Sequence, residues 1–295
     1  MNEEATTNPQ NLQNNEISAT GNLTEKSEKT GYEAILYSEP VFKIGDFNVT
    51  NSLVSSWVVV IAIVVLSIVI KRSLKKIPKG IQNGVEILTE GAMNLADTVT
   101  GDRKKTEKVL PLVLAIFLFI LLNNWLGLLP GVGSIGYMEK SAGHSVFVPF
   151  LRGGTADLNT TLALGLFSVL GANVFGIFIV GFFRHLNKFV GIKLLAEIPK
   201  KVFKDFSVIF VNPIKFFVGL IEIVGEVAKV ASLSFRLFGN VFAGEVLLAS
   251  LSVLFAFFLP IPFIFLEIIV GIIQALIFSM LTLVYFTISS TVEEH

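Results

Sequence analysis

A chain of 295 residues that is 53% hydrophobic and only 16% charged, with a mean hydropathy of +0.72, is too apolar for an ordinary water-soluble domain and reads as an all-α, polytopic membrane protein. A formal net charge of zero and a pI near 6.9 supply no basic field for nucleic acid, which is excluded as a partner. The lack of cysteine and the scatter of three histidines leave no disulfide framework, no thiolate site and no ligand spacing, so neither metal nor cofactor is expected.

Residues 1–31 are rich in Asn, Thr, Glu and Gln with almost no large apolar side chains, which predicts a disordered tail. The remainder, 32–295, reads as one membrane domain. No basic stretch followed by an apolar core and a small-residue cleavage site occurs in the tail, so no cleaved signal peptide is expected. Residues 32–50 mix aromatics with turn formers and are placed at the water interface. The first span, 53–71, is an apolar run long enough to cross about 30 Å of hydrocarbon. Lys71, Arg72, Lys75, Lys76 and Lys79 follow at once, whereas the segment before the span holds Lys26, Lys29 and Lys43 against eight acidic residues. The positive-inside rule therefore puts the N-terminus outside and the basic cluster in the cytoplasm. Over 80–99, Ile81, Val85, Leu88, Ala92, Leu95 and Val99 recur at helical spacing, with Glu86, Glu90 and Asp97 elsewhere. This amphipathic helix is expected along the cytoplasmic membrane surface, although a helix packed on a soluble partner would carry the same stripe.

The second span, 109–130, ends in Asn123-Asn-Trp-Leu-Gly-Leu-Leu-Pro130, where Trp125 suits an interface and Pro130 a helix stop. A Gly-rich outer loop follows, and Asp157 and Asn159 open a third span, 158–184. Arg184, Lys188, Lys193, Lys200, Lys201 and Lys204 return the chain to the basic, cytoplasmic side. His144 and His185 read as ordinary surface histidines. Beyond Pro213, residues 214–258 predict one helix on the order of 65 Å long, so it is either steeply tilted or broken near Gly239 or Gly244. Pro260 and Pro262 are read as the turn into a last long helix, 263–290, with the C-terminus in the cytoplasm.

Within that first long helix lies Ala231-Ser-Leu-Ser-Phe-Arg236-Leu-Phe-Gly-Asn240-Val-Phe-Ala-Gly-Glu245, an arginine deep in an apolar run. An arginine at a bilayer centre costs from about 2.5 to about 17 kcal/mol, so a pathway for an ion, a proton or a substrate is the default expectation over snorkelling from a helix end. Turning about 100° per residue from Arg236 brings Lys229, Ser232 and Asn240 within about 40°, with Gly225 close by and Gly239 about 60° away. Glu245 falls on the opposite face, about 13 Å along the axis. In the last helix Glu267 and Gln274 share a face with Gly271 between them. Asn240 and Gln274 could instead serve interhelical hydrogen bonding, and Glu245 and Glu267 a mutual acid pair.

Ser-Leu-Ser-Phe-Arg-Leu-Phe-Gly-Asn-Val-Phe-Ala-Gly-Glu followed by Gln274-Ala-Leu-Ile-Phe resembles the subunit a family of F-type ATP synthases. The likeness extends to Asn124-Trp-Leu-Gly-Leu-Leu-Pro130, to Asp157-Leu-Asn-Thr-Thr-Leu-Ala and to the Glu-Glu-His terminus, and covers 80–295. It implies two long tilted helices curving along a rotating ring of c subunits, each with a mid-membrane carboxylate, and b subunits of a peripheral stalk as further partners. It implies that Arg236 faces the ring, that Asn240 and Gln274 line or support that region, and that Glu245 and Glu267 belong to aqueous half-channels for H+ or Na+. Glu222 matches a family carboxylate fourteen residues before the Arg and Glu226 one ten before it, and either could serve the channel. Some relatives carry His where Glu267 stands. The setting implied is a bacterial plasma membrane. No Gly-rich loop with Lys-Ser/Thr cradles a phosphate here, so the chain itself is not expected to bind nucleotide. The rival expectation is a stand-alone ion channel or secondary transporter with Arg236 as counter-charge, though no internal repeat of the transporter kind is found. A structural membrane anchor would leave Arg236, Glu245 and Glu267 without a reason.

Overall fold

A computed structural model describes residues 38–75, 80–129, 131–141, 144–182, 208–254 and 258–290. The expected tail, the basic stretch from Arg184 to Lys204, His185 and the chain terminus lie outside the described residues. Helix α1, Asn51–Ser73, carries apolar residues on every side, and from Trp57 to Val69 its large side chains other than the buried Val59 and half-buried Ile63 stand exposed, as lipid contact requires. Apart from Val59, its buried residues are polar: Asn51, Ser52, Ser55 and Ser56 at the N-terminal end.

The amphipathic stripe forms α2, Ile81–Thr100, which stops at Gly101 in the left-handed region (φ 66°) with its N–H on the Asp97 carbonyl. Ala92, Met93, Ala96 and Val99 pack on Val109, Leu110, Val113, Leu283 and Phe286 of the chain's own bundle. Leu88 and Leu95 remain exposed. The C-terminal half of the stripe thus meets neighbouring helices of the same chain. Helix α3, Arg103–Leu128, starts six residues before the expected 109, because Asp102 caps it by accepting from the Lys104 N–H. Its first turns are charged, and helicity continues past the edge of the apolar run. The Trp125 indole N–H donates to the Ile268 carbonyl at 3.3 Å, so the ring seals a helix contact.

Helix α4, Leu158–Val180, is N-capped by Asp157 and ends at Gly181 (φ 95°), four residues short of the expected 184. Helix α5 is continuous from Val208 to Leu254, 47 residues or about 70 Å, with no break at Gly239 or Gly244. It begins before Pro213, whose missing N–H forfeits one hydrogen bond near the helix start. More than twice the hydrocarbon thickness, such a helix must run obliquely or project beyond the bilayer. Helix α6 spans Pro260–Ser290. Pro260 and Pro262 are therefore not the turn but the first turn of the helix, where proline's absent N–H would have had no intrahelical partner.

Five of these helices are long and apolar enough to cross a membrane. Along α6 a second core, Ile116, Ile120, Leu233, Leu237, Ala275 and Phe278, joins α3, α5 and α6. Two hairpins were not anticipated from the sequence: β1 (Pro40–Ile44) with β2 (Phe47–Thr50), and β3 (Gly136–Ser141) with β4 (His144–Pro149), both antiparallel. The Tyr137 hydroxyl donates to the Pro40 carbonyl at 2.9 Å, tying one hairpin to the other.

Candidate functional site

Leu233 and Leu237 on α5 are buried in the core at 2% and 0% exposure, which turns the intervening Arg236 outward. Ala228, Ser232, Arg236, Gly239, Asn240 and Ala243 form an exposed strip. A Cβ added at Gly225 or Gly239 would meet nothing within 4 Å. The Arg236 guanidinium has one hydrogen bond among the described residues, Nη2 to Ser232 Oγ at 3.4 Å, and pairs with none of their carboxylates. Behind this strip α5 presses on α4 so closely that a Cβ on Gly165 would run into Ser234 Oγ and lie 3.1 Å from the Val230 carbonyl oxygen.

Asn240 and Gln274 meet as the sequence allowed, Asn240 Nδ2 donating to Gln274 Oε1 at 2.9 Å. Gln274 is 4% exposed, and its Nε2 has no protein partner among the described residues. The bond ties α5 to α6 one helical turn from Arg236.

Glu245 and Glu267 are not a mutual acid pair. Glu245 is held by Arg152, a residue passed over in the sequence: Arg152 Nε donates to Oε1 at 3.0 Å and to Oε2 at 3.2 Å, and Nη2 to Oε2 at 2.9 Å. A loop arginine reads as solvent-exposed by default, yet Arg152 is only 8% exposed. The signal that could have found it is Arg152-Gly-Gly, since paired glycines after a charge mark close backbone approach. A Cβ on Gly127 would lie 3.3 Å from Gly153 Cα, and one on Gly154 would collide with Asn123 Oδ1 and lie 2.6 Å from Ser56 Oγ. Further bonds fix this segment. Ser55 Oγ accepts from Arg152 N at 3.1 Å, Ser52 Oγ donates to Asp157 Oδ2 at 2.8 Å, and Thr155 Oγ1 donates to Asn124 Oδ1 at 2.6 Å.

Glu267 has no hydrogen bond or ion pair with a described residue. Its carboxyl rests on the backbone of Gly244, where an added Cβ would overlap Cδ and Oε1 and lie 2.6 Å from Oε2.

The other polar cluster lies on the far side of Arg236, about 15 Å back along α5. Glu226 Oε1 pairs with Lys229 Nζ at 2.6 Å, and Oε2 accepts from Asn173 Nδ2 of α4 at 3.1 Å. Lys229 Nζ also sits 5.4 Å from the centre of the Tyr285 ring of α6. Glu222, one turn further, is half-buried and engaged within the chain. Arg236 therefore stands between two clusters of buried or half-buried carboxylates, one joined to α4 and α6, the other to the segment before α4.

The family model described as ATP synthase A chain matches residues 53–287. ATP synthase subunit a of Syntrophobacter fumaroxidans is 34% identical over 260 residues, covering 88% of this chain and 92% of that protein. The subunit a of Trichlorobacter lovleyi is 31% identical, covering 83% and 88%, and the chloroplastic subunit a of Oedogonium cardiacum is 31% identical, covering 86% and 87%. With a family match across most of its length, relatives above 30% identity and five helices fit to cross a membrane, this multi-pass membrane protein belongs to the ATP synthase A chain family.

Proposed function

We propose that the chain is the stator subunit of a rotary, F-type ATP synthase, offering two half-channels and one working cation to a ring of c subunits, and carrying no catalysis of its own. The observation that carries this reading is Arg236, exposed and in no ion pair with a described residue, on a strip of mostly small residues midway between two carboxylate clusters. A guanidinium stays protonated at any working pH. When a protonated ring carboxylate arrives beside it, the ionised form is favoured and the proton leaves by the nearer half-channel. Once re-protonated from the other half-channel, the carboxylate turns into lipid without the penalty of a bare charge.

In this reading Glu245 and Glu267 line the half-channel open to the outside. Glu226 serves the cytoplasmic one in preference to Glu222, because it bridges α5 to Asn173 of α4. Asn240 and Gln274 hold α5 and α6 in register beside the cation. The N-terminus is outside and the C-terminus cytoplasmic in a bacterial plasma membrane, with Lys71, Arg72 and Lys75 on the inner side. The peripheral-stalk b subunits hold the chain against rotation, and the ring's own binding site selects H+ or Na+. Each charge crossing the field yields about 2.3 kcal/mol per 100 mV, so several must pass for each ATP.

Arg236→Ala tests the proposal in vesicles reconstituted with the complete synthase under an imposed proton gradient and potential. Synthesis is expected to stop while passive proton leak persists or rises. Arg236→Lys keeps a charge but loses the planar, multi-donor head and is also expected to uncouple. Substantial synthesis by the alanine variant refutes the assignment.

A further inference from the structure

Resting on that function, we propose that Arg152 is a second required arginine, a positioning residue that fixes Glu245 as an ion-paired strut and leaves Glu267 as the carboxylate that exchanges protons on that side of Arg236. Both oxygens of Glu245 are taken by one guanidinium through three hydrogen bonds of 3.0, 3.2 and 2.9 Å. Protonating Glu245 would require breaking a bidentate pair whose arginine is 8% exposed, stranding a buried cation. A proton relay needs an acid that can change charge repeatedly, and that role falls to Glu267, which has no bonded partner among the described residues and rests on Gly244.

The strut is built from outside the two long helices. Arg152, whose own N–H is held by Ser55 of α1, leads into the turn Gly154–Ala156, which Asn124 clamps to α3 through Thr155, with Asp157 bonded to Ser52. The pair therefore locks α5, near its apolar C-terminal end, to the stationary helices at a point where rotation of the ring would drag on it.

The test uses the complete synthase in vesicles, with subunit a quantified in the purified complex and rates expressed per incorporated subunit. Arg152→Gln is expected to lower proton-driven synthesis roughly tenfold or more, because it leaves Glu245 uncompensated. Arg152→Lys, which keeps the charge but loses the fork, should fall between Arg152→Gln and the wild type. The decisive variant is Arg152→Gln with Glu245→Gln. A neutral amide pair preserves the bridge, so synthesis or, where Arg152→Gln fails to assemble, incorporation should recover several-fold over Arg152→Gln alone. Glu267→Gln should abolish proton flux with the strut intact. A double variant no better than Arg152→Gln, or wild-type rates for Arg152→Gln or for Glu267→Gln, overturns the proposal. Arg236→Ala run in parallel separates the two readings: if it stops synthesis while the double variant shows no recovery, the strut fails and the stator assignment stands.

Discussion

Replacing Gly244 with alanine puts a methyl group where the Glu267 carboxyl now rests, overlapping Cδ and Oε1. Two terms set the effect on stability. A glycine-to-alanine change inside a helix gains about 1 kcal/mol, and forcing Glu267 off its rotamer costs about 0.5–1.5 kcal/mol. They nearly cancel, so the assembled complex is expected to melt within about 1 kcal/mol of the wild type. Function does not share that cancellation: displacing a reacting group by about 1 Å can slow its step as much as ~100-fold. ATP-driven proton pumping into inverted vesicles, followed with a pH-sensitive dye and normalised to incorporated subunit, should fall by roughly tenfold or more. Glu267→Asp draws the carboxyl back by one C–C bond, about 1.5 Å, so Gly244→Ala with Glu267→Asp should pump faster than Gly244→Ala alone. Full pumping by a fully assembled Gly244→Ala complex would refute both the close seat of Glu267 and its part in transport.

A Cβ added at Gly239 meets nothing of the described residues within 4 Å, so with Gly239→Leu subunit a should incorporate normally, yet a ring helix packed there would be overpacked by about 1–3 kcal/mol, and unchanged synthesis would argue against contact at Gly239. Asn240→Ala strips the Gln274 side chain of its one hydrogen bond among the described residues and should cost about 1–3 kcal/mol, read as earlier thermal dissociation of the membrane sector. Adding Gln274→Leu should restore part of that loss, and a melt unchanged by Asn240→Ala would contradict it. At the α2–α3 corner, the Thr106 hydroxyl and the Arg103 guanidinium beside Asp97 hold its carboxyl below the usual carboxylate range. A lowered folded-state value means the corner keeps this contribution above the ordinary range and loses it as pH falls through the lowered value. Hydrogen exchange across residues 94–106, compared with Asp97→Asn, should show acid loosening in the native chain that the variant lacks.

The membrane helices were legible because burial in lipid imposes one local rule, an apolar run of sufficient length. Their ends were less so. Pro213, Pro260 and Pro262 look like breakers, but the cost of a proline depends on whether its missing N–H had a partner, which is a matter of helix position. The hairpins escaped notice since their alternation is blurred: Phe42, Ile44 and Phe47 are all exposed, although Gly45-Asp46 is a two-residue turn signal. At the site, Arg236, Asn240 and Gln274 announced themselves as polar residues where apolar ones belong. Arg152 carried no such contrast, lying in a loop where arginine is ordinary. Only the long-range approach of that loop to α5 makes it a buried ion-pair partner.

Two arginines of one chain thus meet opposite fates for a physical reason. Arg152 is almost enclosed, and its charge is answered by a carboxylate of the same chain at 2.9 Å, so a further anion would have to compete with that bond. Arg236 is turned outward by the burial of its neighbours Leu233 and Leu237, with one 3.4 Å hydrogen bond among the described residues, to a serine, and an arriving carboxylate displaces almost nothing of that. In the proposed mechanism this incompleteness is what lets successive ring carboxylates bind and leave. In that mechanism it would also favour assembly: an arginine facing lipid without a partner costs at least about 2.5 kcal/mol, and a ring supplying carboxylates to this face would relieve that cost with every subunit it presents.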